Sequence, residues 1–319
     1  MLFRSPQKAQ KAIAPSRPTG NCDTIIDMAT TMRKQIAQNK RNTIITILVF
    51  VAFIGAIAGL FSWIYQSPTV LITAGIISVV YALIQYFFAD KLALMSTGAK
   101  QTDQNESPRL YKVVQQLAEE NNLPMPKVYI MNDPAPNAFA TGRDPKHACV
   151  AATTGLVEIM DDKELKAVMG HEMSHVKNYD IRVSMIVFGL ASVVGLISDL
   201  GLRMLFWGRR DDEENSPVGV LFVIITLVLA PIVATLIQLA VSRQREYLAD
   251  ASSASMTSPD DMANALRKLE AHHRPMRQQN VAAEALFIAG PLKKSILSKL
   301  FSTHPPLEAR IERLENAKK

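Results

Sequence analysis

The sequence predicts a mainly α membrane protein: four transmembrane helices plus an α+β domain with a small sheet on the cytoplasmic side. Three observations carry this. The 319-residue chain is 48% hydrophobic but only 7% aromatic, and its apolar residues are segregated into long runs rather than spread evenly. Eight Lys/Arg (Arg4, Lys8, Lys11, Arg17, Arg33, Lys34, Lys40, Arg41) precede the first run, against Asp23 and Asp27. Basic flanks of this kind mark the cytoplasmic side of a membrane span. Between the second and third runs lies a polar stretch with turn and capping signals of its own.

Taken in order, residues 1–42 form a basic arm with Pro15, Pro18 and Gly20, expected to be mostly disordered, with a short helix near 24–38. The run 43–65 carries no charge and ends on Trp63 and Tyr65, as interfacial aromatics do. QSPT leaves room only for a tight return, and the second run, 70–88, completes a hairpin within 43–89. The piece 90–180 then turns polar. Ser107-Pro108 reads as an N-cap and first helical residue, PKVYIM (126–131) as a strand, and 137–155 as two strands around Asp144-Pro145. Asp161 and Glu164 form a capping-box signature for the helix carrying GHEMSH. The third run, 181–206, follows without an obvious break and is expected to continue that helix into the membrane. An acidic loop leads to the fourth run, 218–241, so that 181–241 holds two spans and 242–319 returns to the side of 90–180.

Charge placement argues against a nucleic-acid partner, because the net +6 is concentrated beside the first span rather than on a binding face. Cys22 and Cys149 match no disulfide or metal spacing, which fits a reducing compartment. Asp199 and Arg203, four apart inside the third run, read first as a structural pair near the far interface, and would be the pathway if the chain were a non-proteolytic transporter or channel.

The chemistry concentrates in HEMSH, residues 171–175. Residues four apart on an α-helix lie about 40° apart around the axis, so His171 and His175 can direct both imidazoles at one ion. Glu172, about 100° round, can reach a water on that ion as a general base. A catalytic zinc takes three protein ligands. No third histidine follows in the extended pattern, and Glu213 and Glu214 fall on the far side of the membrane. Glu246, just past the fourth run, is the next glutamate on the correct side. Asp250, four residues on, can accept the second N–H of a zinc histidine. His272 and His273 are adjacent and diverge on a helix, and His147 sits at a turn.

HEMSH, EYLAD, NAFATGR, ATTGL and FSTHPPLEARI, in this order and with a span pair before and another within the domain, resemble the HtpX-type membrane metallopeptidases, a family related to the CAAX prenyl endopeptidases. The resemblance covers roughly 43–315; the basic arm departs from it. It implies a gluzincin-like, zincin-like domain holding one Zn²⁺ per chain, with His171, His175 and Glu246 as ligands and Glu172 as catalytic base. By the same resemblance Asn137, Ala138, Phe139, Ala140 and Thr141 form an edge strand for extended substrate, although an ordinary hairpin strand fits them too. His304 either donates to the oxyanion or caps the last helix, and Arg310 either braces this region or makes a surface ion pair. The implied activity is endoproteolysis of misfolded or damaged membrane proteins at the cytoplasmic face of a bacterial inner membrane. The expected partners are unfolded or membrane-protein substrates, the lipid bilayer and other quality-control proteases. A prenyl-protein endopeptidase is the nearest alternative.

Overall fold

The structure, a computed structural model, describes residues 66–186, 243–278 and 304–316 continuously, with scattered positions between 34 and 63, at 188, 189 and 192, and between 283 and 290. Helices and one small sheet make up the fold. Helix α1 (Pro68–Ser96) follows a tight turn in which Gln66 takes φ 49° and the Ser67 N–H returns to the Ser62 carbonyl at 3.0 Å. Its last turns bury Ala89, Ala93 and Leu94 against the sheet domain, whereas Ile72, Ile76 and Leu83 are more than half exposed.

Strand β1 (Lys100–Gln101) and helix α2 (Pro108–Glu120) come next. Pro108 opens α2 as predicted, but the Ser107 hydroxyl makes no cap; it accepts instead from Thr102 Oγ1 at 3.0 Å, holding the turn against β1. Strands β2 (Lys127–Met131), β3 (Ala138–Gly142) and β4 (Ala148–Thr153) complete a four-stranded sheet in the order β1-β2-β4-β3. Asp144 caps the short turn between β3 and β4 through the Lys146 and His147 N–H groups. Gly142 ends β3 at φ +134°, where a Cβ would lie 2.4 Å from the His147 carbonyl, so the turn requires glycine. β4 is buried along its whole length and pairs with β2 in parallel and β3 antiparallel, which leaves β3 at the edge.

Helix α3 (Thr154–Ile159) leads to α4 (Asp162–Lys177), the helix of the HEMSH motif. Its capping box is formed as predicted: Asp161 accepts from the Glu164 N–H at 2.8 Å, and the Glu164 carboxylate returns to the Asp161 N–H at 2.8 Å. The expected continuation of α4 into the third run does not occur. Asn178 closes the helix and Tyr179 takes a left-handed φ of 60°, a conformation that breaks the helical ladder before residues 180–186 turn helical again.

Helices α5 (Arg243–Met256), α6 (Pro259–Ala271) and α7 (Leu307–Asn316) complete the domain. Ser258 caps α6 through the Asp261 N–H at 3.1 Å, as its Ser-Pro start suggested. The core joins α2, α4, α6 and α7 to one face of the sheet through Leu110, Leu117, Leu165, Met169, Leu266 and Ile311. α4 and α5 approach closely because the facing residues are small: Ser253 Oγ donates to the Ala167 carbonyl at 2.5 Å and lies 3.3 Å from where a Cβ on Gly170 would stand.

Among the described residues, no helix is long and apolar enough to cross a membrane. The predicted spans are therefore not established by the structure. Runs 43–65, 181–206 and 218–241 fall wholly or partly outside the described residues, as do many side chains of 70–88 and the Asp199/Arg203 pair. Of the arm, Lys34, Ala37, Gln38, Asn39, Arg41 and Asn42 are described and are helical, and Asn39 is buried.

Candidate metal centre and active site

The close packing of α4 on α5 brings together residues 71 positions apart. His171 Nε2 lies 3.1 Å from His175 Nε2, 3.5 Å from Glu246 Oε2, and His175 Nε2 lies 3.6 Å from Glu246 Oε1. His171, Glu172 and Glu246 are all but fully buried. His171 Nδ1 sits 2.9 Å from Asp250 Oδ1, and His175 Nδ1 sits 3.0 Å from Asp180 Oδ2. Each carboxylate accepts a hydrogen bond from Nδ1–H and so turns Nε2 inward.

This arrangement fits a divalent metal ion. Two imidazole lone pairs facing each other at 3.1 Å repel unless something positive lies between them. Glu246 Oε2 is buried with no hydrogen-bond partner, a costly state for a carboxylate oxygen. Nitrogen and oxygen ligands about 2.0–2.1 Å from a tetrahedral centre lie about 3.3–3.4 Å apart, and the observed separations bracket that value. His171, His175 and Glu246 form the metal-binding group of this kind found among the described residues.

The electrostatics follow from burial and charge. Burial by itself would push His171 down, but the neighbouring Asp250 and Glu246 carboxylates overcome it and raise the imidazole to about 9. His175 is also raised, Asp180 and Glu246 outweighing its burial. Despite burial, the surrounding histidines, His304 first, hold Glu246 well below the ordinary carboxylate range. Glu172 moves the other way: burial raises it, with the Glu246 charge adding to the shift. A buried carboxyl raised in this manner is a competent proton acceptor and donor beside a metal.

Asp250 is itself clamped. Arg310, fully buried on α7, donates Nε to Asp250 Oδ2 at 2.8 Å and Nη2 to Oδ1 at 2.6 Å, and its Nη1 lies 3.7 Å from Glu246 Oε2. Although burial raises a carboxyl, the guanidinium holds Asp250 at about 2. Of the two readings left open for Arg310, bracing is the one observed. His304 Nε2 faces Glu246 Oε2 at 3.6 Å on the rim of the site. Burial lowers it to about 4 against the pull of Glu246, so the ring is neutral near pH 7.

The strand expected to receive substrate is β3, and its outer edge already holds a segment of the same chain. Along β3 the odd residues bond to β4 and the even ones face outward, as the Thr153 N–H to Asn137 carbonyl bond of 2.9 Å fixes. That outer edge is not free. Phe139 pairs with Phe287 in an antiparallel bridge, and the Ile288 N–H donates to the Ala138 carbonyl at 3.0 Å. Asn137 clamps the same segment, donating to the Ala289 carbonyl at 2.7 Å and accepting its N–H at 3.2 Å. Phe139 stacks edge-on against Phe287 at 5.1 Å, and Thr141 Oγ1 contacts Met185 Sδ at 2.7 Å. Of residues 137–141, Ala140 lines the cavity at the metal cluster, opposite Leu286 and Ile288. That cavity is about 30 Å³, room for one or two waters and not for a peptide.

A family model described as Peptidase family M48 matches residues 104–318. The chain belongs to that family. It is a metallopeptidase, and the resemblance to HtpX-type enzymes holds over most of its length. It is 52% identical over 281 residues to a protease HtpX homolog of Tropheryma whipplei, covering 88% of this chain and 96% of that one. To the protease HtpX homolog of Streptococcus gordonii it is 46% identical over 292 residues, covering 88% and 98%. A crystal structure of S. mikatae Ste24p aligns at 19% identity with a TM-score of 0.47, over 92% of this chain and 66% of that one.

Sequence reasoning missed Asp180, Arg245, Asn39 and the 286–289 segment. Asp180 left a signal: an acid just past Asn178, where a C-cap can turn the chain back on the last histidine. The others are separated from the motif by more than 65 positions and left none.

Proposed function

We propose that this M48 metallopeptidase is a zinc-dependent endopeptidase of a bacterial inner membrane, acting on misfolded or damaged membrane proteins from the cytoplasmic side. The observation that carries the catalytic part is the convergence of His171, His175 and Glu246 with Glu172 buried beside them. The two-nitrogen, one-carboxylate donor set suits zinc. The bacterial relatives, the basic flank before residue 43 and the exposed apolar side chains of α1 support the membrane setting.

Bound zinc would supply a Lewis acid that makes water nucleophilic near neutral pH. The chain's own groups do the remainder. Glu172 accepts the water proton and returns it to the leaving amine nitrogen. His304, neutral and on the rim of the site, donates to the oxyanion of the scissile carbonyl. Asp250 and Asp180 hold the two imidazoles. An extended substrate pairing with β3 must displace residues 286–288, since they occupy that edge.

The test pairs metal content with cleavage. Wild type and Glu172→Gln are purified in detergent, zinc is quantified, and cleavage of unfolded casein is followed. Both should hold about one zinc per chain, with cleavage in wild type only and abolished by chelator. Loss of zinc from both after metal-replete preparation would overturn the reading. Comparison of a misfolded membrane protein with a prenylated peptide then separates quality control from prenyl-protein processing.

A further inference from the structure

Asn39 belongs to the basic N-terminal segment, yet it is 1% exposed and its side chain reaches the far side of the metal cluster. Its amide Nδ2 donates to Asp180 Oδ1 at 2.6 Å and to the Asn178 carbonyl at 3.0 Å. Both targets are pure acceptors, so the orientation of the amide is decided by its partners: only the nitrogen can face them. Asp180 Oδ2 meanwhile takes His175 Nδ1 at 3.0 Å, and Arg245 Nε, beside the ligand Glu246, stands 3.6 Å from Oδ1.

The need for such a contact follows from the backbone. Asp180 stands just past the left-handed Tyr179, at the junction of two helices. One amide that bonds both the carbonyl closing α4 and the carboxylate ties the junction and the side chain together. A neutral donor is suited to the task. Arg245 already places a positive charge nearby, and a second full charge would compete with His175 for the carboxylate.

We propose that Asn39 is a positioning residue of the metal centre, holding Asp180 in the orientation that fixes His175 toward the ion. The N-terminal segment is thereby part of the active site and not only a flank to it. This rests on the zinc reading above.

The experiment uses the full chain in detergent, in a Glu172→Gln background that prevents self-cleavage, with zinc affinity measured by competition against a chromophoric chelator. Asn39→Ala should weaken zinc by about 3–10-fold, and the isosteric Asn39→Asp by at least about 10-fold, the scale on which outer partners of metal ligands act. The order is the diagnostic. A residue that merely fills space tolerates the isostere better than the truncation, whereas a donor to Asp180 does not, because Asn39→Asp sets two carboxylates against each other. In an Asp180→Asn background the further loss from Asn39→Ala should shrink to within about twofold, as coupled sites require. Wild-type affinity in Asn39→Asp, or a larger loss in Asn39→Ala than in Asn39→Asp, would overturn the inference while leaving the zinc reading intact. Absence of zinc from the parent chain itself would overturn both.

Discussion

The two histidines of α4 are held in the same way by different kinds of neighbourhood. His171 leans on Asp250, which is locked by a bidentate, fully buried guanidinium from the last helix. His175 leans on Asp180, which receives a neutral amide from the N-terminal segment and a longer contact from Arg245. His175 is also the more open of the two, its side chain 15% exposed against 1%. One imidazole is fixed by charge in a dry interior, the other by directed hydrogen bonds nearer the opening. Both ends of the chain thus converge on one metal cluster. The difference teaches where the site can yield: a buried ion pair resists small adjustments, while a neutral bond at a helix junction can give.

Arg310→Met breaks the comparison most severely. Removing the guanidinium leaves Asp250 buried beside Glu246 with His171 as its remaining partner, which is expected to cost about 3–5 kcal/mol. Denaturant unfolding in detergent would measure it, and a loss below 1 kcal/mol would mean that the clamp is ornamental.

Replacing the carboxylates sharpens the contrast. Asp250→Asn and Asp180→Asn should each weaken zinc about 10–100-fold. Stability should suffer mainly in Asp250→Asn, where Arg310 loses its charged partner. Equal stability losses in the two variants would erase the distinction between a charged and a neutral clamp.

A smaller effect is expected at the β3 edge. Ile288→Pro removes the N–H that donates to Ala138, a bond worth about 1 kcal/mol net. If the edge must open for substrate, kcat/KM for unfolded casein should rise by up to about fivefold. An unchanged or lower kcat/KM with folding intact would show that substrate takes another route.

The smallest effect concerns acid stability between about pH 4 and pH 2. Asp250 is depressed to about 2, so its contribution is complete above the unfolded carboxylate value and is lost as the pH falls through about 4 toward 2. Thermal midpoints of wild type should therefore show a falling limb in that window that Arg310→Met lacks. A shared limb of equal size would assign acid loss to other groups.

Much of the active site was legible before the fold. HEMSH has a geometric meaning on any helix, and the Asp161–Glu164 capping box said that a helix begins there. Glu246 followed by elimination of glutamates across the expected membrane, and Asp250 by its spacing from Glu246. What local patterns did not carry were edges and ends. The occupied edge of β3 was not foreseen, because Phe139 pairs with Phe287, a pairing between segments 148 positions apart with no local signature. The continuous motif helix failed because a left-handed tyrosine carries no sequence mark as a glycine would.

The sequence by itself determined the donor types, their helical spacing, the starts of α4 and α6 and strands β2, β3 and β4, because each rests on patterns within a few residues. Only the tertiary structure decided which carboxylate holds which histidine, that Arg310 lies buried between two acids, and that Asn39 reaches Asp180 from the other end of the chain. Those are contacts between distant segments, set by how small residues at Ala167, Gly170 and Ser253 let two helices approach, and no local pattern encodes that distance.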